Sequence, residues 1–248
     1  MGDAHSVTIP EKNYEAALAA IPNVARDLRR LHEAGALPPL AGPNGSGEPK
    51  FEDHEIAFNG VRPHRAETCY LGPTEPAPGS TKRDLFTKTA HEPYDLAVMA
   101  AYALWWHHSD GAIKVDSDGD LDDWKPALGL LEDNLGYVVK AQQLFDISYA
   151  HFRFDNGLEI VLELKHQSTS ITGLSRSWLL HTLHLLSVKT FADKFGPLND
   201  AVLALLRGAD FSRWPTLLYH GRDPVPGFGQ YRVGPILFAN TTTVQEEV

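Results

Sequence analysis

LFDISYAHFRFDNGLEIVLELKH, residues 144–166, is the stretch on which the fold class turns. Two runs flank Asn156-Gly157, and Asn-Gly between alternating runs is the strongest short-range hairpin signal, because both residues accept the positive φ of a tight turn. The spacing predicts one strand from about Leu144 to Phe154 and its return from Leu158 to His166. On the return, Leu158, Ile160, Leu162 and Leu164 share one face while Glu159, Val161, Glu163 and Lys165 share the other. Such a hairpin packs its apolar face on a core.

On the carboxyl side, Ser175 or Ser177 caps a helix running to about Phe195, with Gly196-Pro197 as its stop. A shorter helix capped by Asn199 or Asp200 ends at Gly208, and two closing strands follow at Leu217 to His220 and Tyr231 to Phe238. On the amino side, Pro93 suits a first helical turn. The almost wholly apolar run after it, to His108, predicts a central helix covered on most sides. A strand at Ala112 to Val115 and a helix from about Asp122 to Asn134 come next, joined by an acidic loop. His54 to Phe58, Val61 to Leu71 and Leu85 to Thr89 predict a small antiparallel sheet, with Asn59-Gly60 as a turn. Helical spacing from Glu11 to Glu33 is interrupted by Pro22, so a kink or two short helices are expected. Helices and hairpins come in separate blocks with no repeating strand-helix-strand pattern, which gives an α+β class with antiparallel hairpins packed on helices.

Residues 36–50 are rich in Pro, Gly and Ser and read as a flexible linker. That leaves residues 1–35 as an N-terminal helical appendage, 51–137 as an α+β part and 138–248 as a hairpin-plus-helices part, the last two forming either one domain or two.

With 248 residues and 43% hydrophobic content the chain can bury a full core. Its net charge of −10, with Lys and Arg scattered, disfavours nucleic acid, because a backbone binder needs clustered cations. Cys69 is the single cysteine, so no intramolecular disulfide and no four-cysteine zinc site can form, and a reducing compartment is expected. The first residues lack a basic patch followed by an apolar run, and the longest apolar stretch, Leu96 to Trp106, is far short of the roughly 20 residues a membrane span needs. A cytoplasmic protein with no membrane association follows as the expectation.

Short motifs occur in order along residues 55–135: Asn59-Gly60, Glu67-Thr68, Lys88-Thr89-Ala90, Pro93-Tyr94-Asp95, Ser117-Asp118-Gly119-Asp120 and Asp123-Trp124. In this combination the chain resembles small uncharacterised proteins of actinobacteria and their phages. The resemblance implies such a source, and host cytoplasm if phage-encoded, and it implies no activity.

The sharpest chemistry lies on the hairpin. An Asp near one strand and a Glu-x-Lys on the next is the arrangement of restriction-endonuclease-like phosphodiesterases, so Asp155 and Glu163 are candidate Mg²⁺ ligands and Lys165 a candidate catalytic cation. The opposing expectation is ordinary turn chemistry at Asp155 and a solvated strand face at Glu163 and Lys165. Asp116, Asp118, Asp120 and Asp122 begin like a calcium loop, but position twelve is Ala127 where a bidentate Glu is required. His181 with His184, and His107 with His108, lack the Glu or Asp partner string of a zinc enzyme. Cys69 reads as a packing residue, with His64 its nearest histidine in sequence. No complete catalytic signature is present, so the leading expectation is a binding or accessory protein acting on a protein or small ligand, with the metal-dependent phosphodiesterase as alternative.

Overall fold

A computed structural model describes residues 4–119, 121–164, 200–210, 213, 215–223, 225–233 and 236–239. The fold is α+β, and among the described residues every strand pair is antiparallel. The chain divides into two compact units, residues 1–145 and 146–248.

In the first unit, β1 (Ala4–Pro10) is the middle strand of a three-stranded sheet, between β6 (Lys82–Lys88) and β7 (Lys114–Ser117). Its alternation places His5, Val7 and Ile9 inward and leaves Ser6 and Thr8 half-buried on the other face. Residues 4–10, read from sequence as part of a helical appendage, form instead the strand that holds this sheet together.

Helix α1 (Tyr14–Glu33) runs unbroken through Pro22. Proline removes one helical hydrogen bond, but Ala17, Ile21, Val24, Leu28 and Leu31 bury a continuous stripe that holds the helix on both sides of it. Helix α2 (Asp95–His108) is the central element: every residue from Ala97 to Trp105 is buried. Trp105 donates from Nε1 to the Ala17 carbonyl at 2.8 Å, tying α2 to α1, and α2 also packs on β1, β7 and α3 (Leu121–Leu135).

Between α1 and β6 the chain forms short strands: β2 (Leu40–Ala41), β3 (Lys50–Phe51), β4 (Ile56–Gly60) and β5 (Cys69–Leu71), with β4 paired to the other three. Within 36–50, where the composition reads as a linker, Leu37, Leu40, Ala41 and Gly45 are buried. Asn59-Gly60 ends β4 opposite β2 and is not a turn. Its glycine is required by contact, since a Cβ there would lie 1.8 Å from the His64 carbonyl oxygen.

The second unit begins with the hairpin of β8 (Ser148–Arg153) and β9 (Glu159–Leu164), turned at Asn156-Gly157, where Gly157 has φ 84°. They join β10 (Thr216–Gly221), β11 (Phe228–Val233) and β12 (Ile236–Ala239) in the order β10-β8-β9-β12-β11. Ala150, Phe152, Leu158, Ile160, Leu162 and Leu164 form its core against Val202 and Leu206 of α5 (Asp200–Gly208), the helix that follows the four-residue α4 (Ala141–Leu144) among the described elements. The helix expected from Ser175 or Ser177 to Phe195 lies outside the described residues. No helix among the described residues is long and apolar enough to cross a membrane.

Candidate functional site

The β6-β1-β7 sheet sets Thr87, His5 and Ser117 in one cross-strand row, with His5 in the middle. Helix α2 begins above the row, so its first residue, Asp95, faces the His5 ring. His5 Nδ1 lies 2.9 Å from Ser117 Oγ, and His5 Nε2 lies 2.8 Å from Asp95 Oδ1. Thr89 Oγ1 donates to the same Asp95 oxygen. The result is a continuous Ser117–His5–Asp95 chain built from three separate segments.

Proton accounting fixes its polarity. Ser117 Oγ accepts the Gly119 N–H at 3.0 Å and has its own hydroxyl proton to donate to His5 Nδ1. The Asp95 carboxylate only accepts, so in the neutral ring the proton sits on Nε2 and the Nδ1 lone pair faces the serine. That tautomer is the one a general base needs toward a hydroxyl, with the carboxylate orienting it.

Burial works to raise the Asp95 carboxyl, but the hydrogen bonds from His5 and Thr89, with the nearby His5 and His91 charges, outweigh it and hold Asp95 below the ordinary carboxylate value. Its place in the first turn of α2 also favours the ionised form. Access to the chain is graded: the His5 side chain is 2% exposed, Asp95 15%, and Ser117 is half-buried. Trp124 sets its ring edge-on to His5 at 5.3 Å; it is fully buried, and its Nε1 has no hydrogen-bond partner among the described residues. Ala90 and His91, just before α2, both hold positive φ, 54° and 60°. Two consecutive side-chain-bearing residues in the left-handed region store strain of about 1–2 kcal/mol each, a cost that functional sites often carry.

Several of the short motifs meet here. Lys88-Thr89-Ala90, Tyr94-Asp95, Ser117 to Gly119 and Trp124 all contribute to or border the chain, and Asp118 Oδ1 accepts the Ala4 N–H at 2.7 Å, clamping the start of β1. None of the three has a role assigned from sequence: Asp95 and Ser117 stand only within the short motifs, and His5 stands in none of them. Its signal was the alternation Ala4-His5-Ser6-Val7-Thr8-Ile9, in which a histidine occupies an inward position.

Of the residues singled out on the hairpin, Asp155 and Glu163 do not converge. Asp155, beyond β8, is exposed and pairs with Arg213 at 3.5 Å. Glu163 is buried and sits opposite Tyr149. It lies four residues along β9 from the Arg153–Glu159 rung nearest the turn, about 13 Å at strand spacing. One Mg²⁺ needs its oxygen ligands at about 2.0–2.1 Å. Lys165, like His181 and His184, lies outside the described residues. In the acidic loop Asp116 Oδ1 accepts the Ser117 N–H and Asp122 pairs with Lys125 at 3.0 Å, while Asp120 lies outside the described residues. Cys69 is fully buried, and desolvation pushes its thiol far above the ordinary value, so no thiolate forms there; His64 instead meets Glu92 at 3.1 Å. Comparison with protein-family models, curated proteins and solved structures finds no match to this chain.

Proposed function

We propose that the first unit is a serine hydrolase acting on small acyl esters, with Ser117 as nucleophile, His5 as general base and Asp95 as the residue that orients His5. The observation that carries this reading is the Ser117–His5–Asp95 chain, with the His5 Nδ1 lone pair facing the serine hydroxyl at 2.9 Å. As the Ser117 Oγ–acyl carbon bond forms, the hydroxyl proton passes to His5 Nδ1. His5 then returns that proton to the leaving oxygen. Water repeats the cycle on the acyl-enzyme, again giving its proton to His5. Asp95, kept ionised, stabilises the imidazolium without taking the proton. The carboxylates of Asp95, Asp116 and Asp118 near the serine oppose an anionic group, which favours neutral or cationic acyl substrates over phosphoesters.

A second reading rests on the 2% exposure of His5: the chain is a structural lock joining β1, β7 and the start of α2. Turnover separates the two. On the hydrolase reading the protein cleaves p-nitrophenyl acetate above buffer, and Ser117→Ala lowers kcat/KM by at least about 10³-fold with an unchanged circular dichroism spectrum. Absence of turnover in the folded protein, or full turnover in Ser117→Ala, leaves the lock.

A further inference from the structure

The far end of α2 carries a second set of titratable groups that the hydrolase chemistry does not use. Asp27 of α1 is almost fully buried, and its carboxylate accepts from Tyr137 Oη at 3.1 Å, Arg26 Nε at 3.1 Å and His108 Nε2 at 2.7 Å. Desolvation works to raise Asp27, but the bonds from Arg26, His108 and Tyr137 outweigh it and hold the carboxyl below its ordinary value. His107, next along the helix, lies against the Tyr137 ring at 4.5 Å and the His108 ring at 5.1 Å.

An acceptor-only carboxylate fixes the proton of neutral His108 on Nε2 and leaves the Nδ1 lone pair for a ligand. Neither His108 Nδ1 nor either His107 nitrogen has a hydrogen-bond partner among the described residues. A buried carboxylate behind a histidine is the arrangement that orients histidine ligands and raises their basicity. Two imidazoles on one tetrahedral Zn²⁺, bound at about 2.0–2.1 Å, place their ring centres about 5 Å apart. The His107 and His108 rings already stand at 5.1 Å. Both end α2, where the helix dipole favours a cation.

We propose that His107 and His108 form a binding site for an imidazole-preferring divalent cation of the Zn²⁺ or Ni²⁺ class, with water completing the coordination and Asp27 acting as a positioning residue for His108. Carboxylate-preferring Mg²⁺ is not its ligand. The test is titration of the full chain with Zn²⁺, followed by calorimetry and by the imidazole nitrogen resonances of each histidine. The expected result is saturable binding that shifts His107 and His108 together, a Kd raised at least about tenfold by His107→Gln or His108→Gln, and no response to Mg²⁺. Asp27→Asn keeps both ligands but removes the carboxylate, and weakens Zn²⁺ about 10–100-fold. Tyr137→Phe leaves the Asp27–His108 pair in place and weakens it less, which keeps the positioning role testable if Asp27→Asn does not fold. Glu52, His54 and half-buried Glu55 form a surface cluster whose ligand atoms lie within 4.8 Å of one another, so His54→Gln serves as the control and leaves the Kd at His107 and His108 unchanged. Zn²⁺ that shifts other histidines and neither of these two overturns the proposal, as does an affinity indifferent to both Gln variants.

Discussion

Thr89→Val isolates the outermost link of the serine–histidine–carboxylate chain. Thr89 is fully buried and donates its hydroxyl proton to Asp95, so no water can replace the bond when the hydroxyl is removed. Valine keeps the shape and discards the donor, leaving a carboxylate that still carries the His5 bond. A hydrogen bond to a charged acceptor contributes about 1.5–3 kcal/mol, so the variant should lose about 2 kcal/mol at pH 7. For a unit of this size that lowers Tm by roughly 4–8 °C. The loss also depends on pH with a determined sign. Asp95 titrates below its ordinary 3.8, so the Thr89 contribution is present above that value and declines as pH falls through the folded value. Urea unfolding of both proteins at pH 7 and near pH 3 reads the difference. A penalty under about 0.5 kcal/mol at pH 7, or one larger near pH 3 than at pH 7, refutes a charged Asp95 held by this bond.

Val98→Asp or Leu104→Asp places an unpaired charge in the fully buried α2 and should prevent folding of the first unit; an unchanged urea midpoint contradicts the core assignment. Gly60→Ala forces a Cβ to 1.8 Å from the His64 carbonyl oxygen and 2.9 Å from the Tyr94 ring, so denaturation should show a loss of several kcal/mol, on the order of the larger single-residue effects. Acid should destabilise the chain in two stages. His107 is lowered from 6.5, so the unfolded chain takes up a proton that the folded one refuses and stability falls as pH drops through 6.5. Asp27 and Asp95 are lowered from 3.8, so a second loss follows below that value. Urea midpoints between pH 8 and 3 measure both stages, and a midpoint that rises from pH 7 to 5 contradicts the first.

The hairpin and the central helix were legible because each rests on local chemistry: Asn156-Gly157 for the turn, and an apolar run with no polar stripe for α2. The wet strand face expected at Glu163 was not, since a period of two separates faces and is silent on what covers each one. Pro22 predicted a kink or two short helices, and tertiary burial of α1 keeps it one helix across the proline. Residues 36–50 read as a linker by composition, yet Leu37, Leu40 and Ala41 are buried there and Leu40-Ala41 pairs with Asn59-Gly60. The site was hidden for a different reason. Asp95 and Ser117 lie 90 and 112 residues from His5, and the pairing of β1 with β7 together with the packing of α2 on β1 brings them together. Long-range strand pairing leaves no periodic trace in sequence. What sequence did carry was a set of short motifs with no common purpose until the sheet assembled them.

The central claim is that the Ser117 hydroxyl is activated by His5, and reaction with a fluorophosphonate followed by peptide mass spectrometry tests it most directly. Ser117 Oγ displaces fluoride at phosphorus while His5 takes the hydroxyl proton, so the folded protein should carry one adduct, on Ser117. The adduct should vanish in urea and slow at least about 10²-fold in Asp95→Asn, where the orienting carboxylate is gone. A folded protein that leaves Ser117 unlabelled, or labels it at the same rate in urea, contradicts the account.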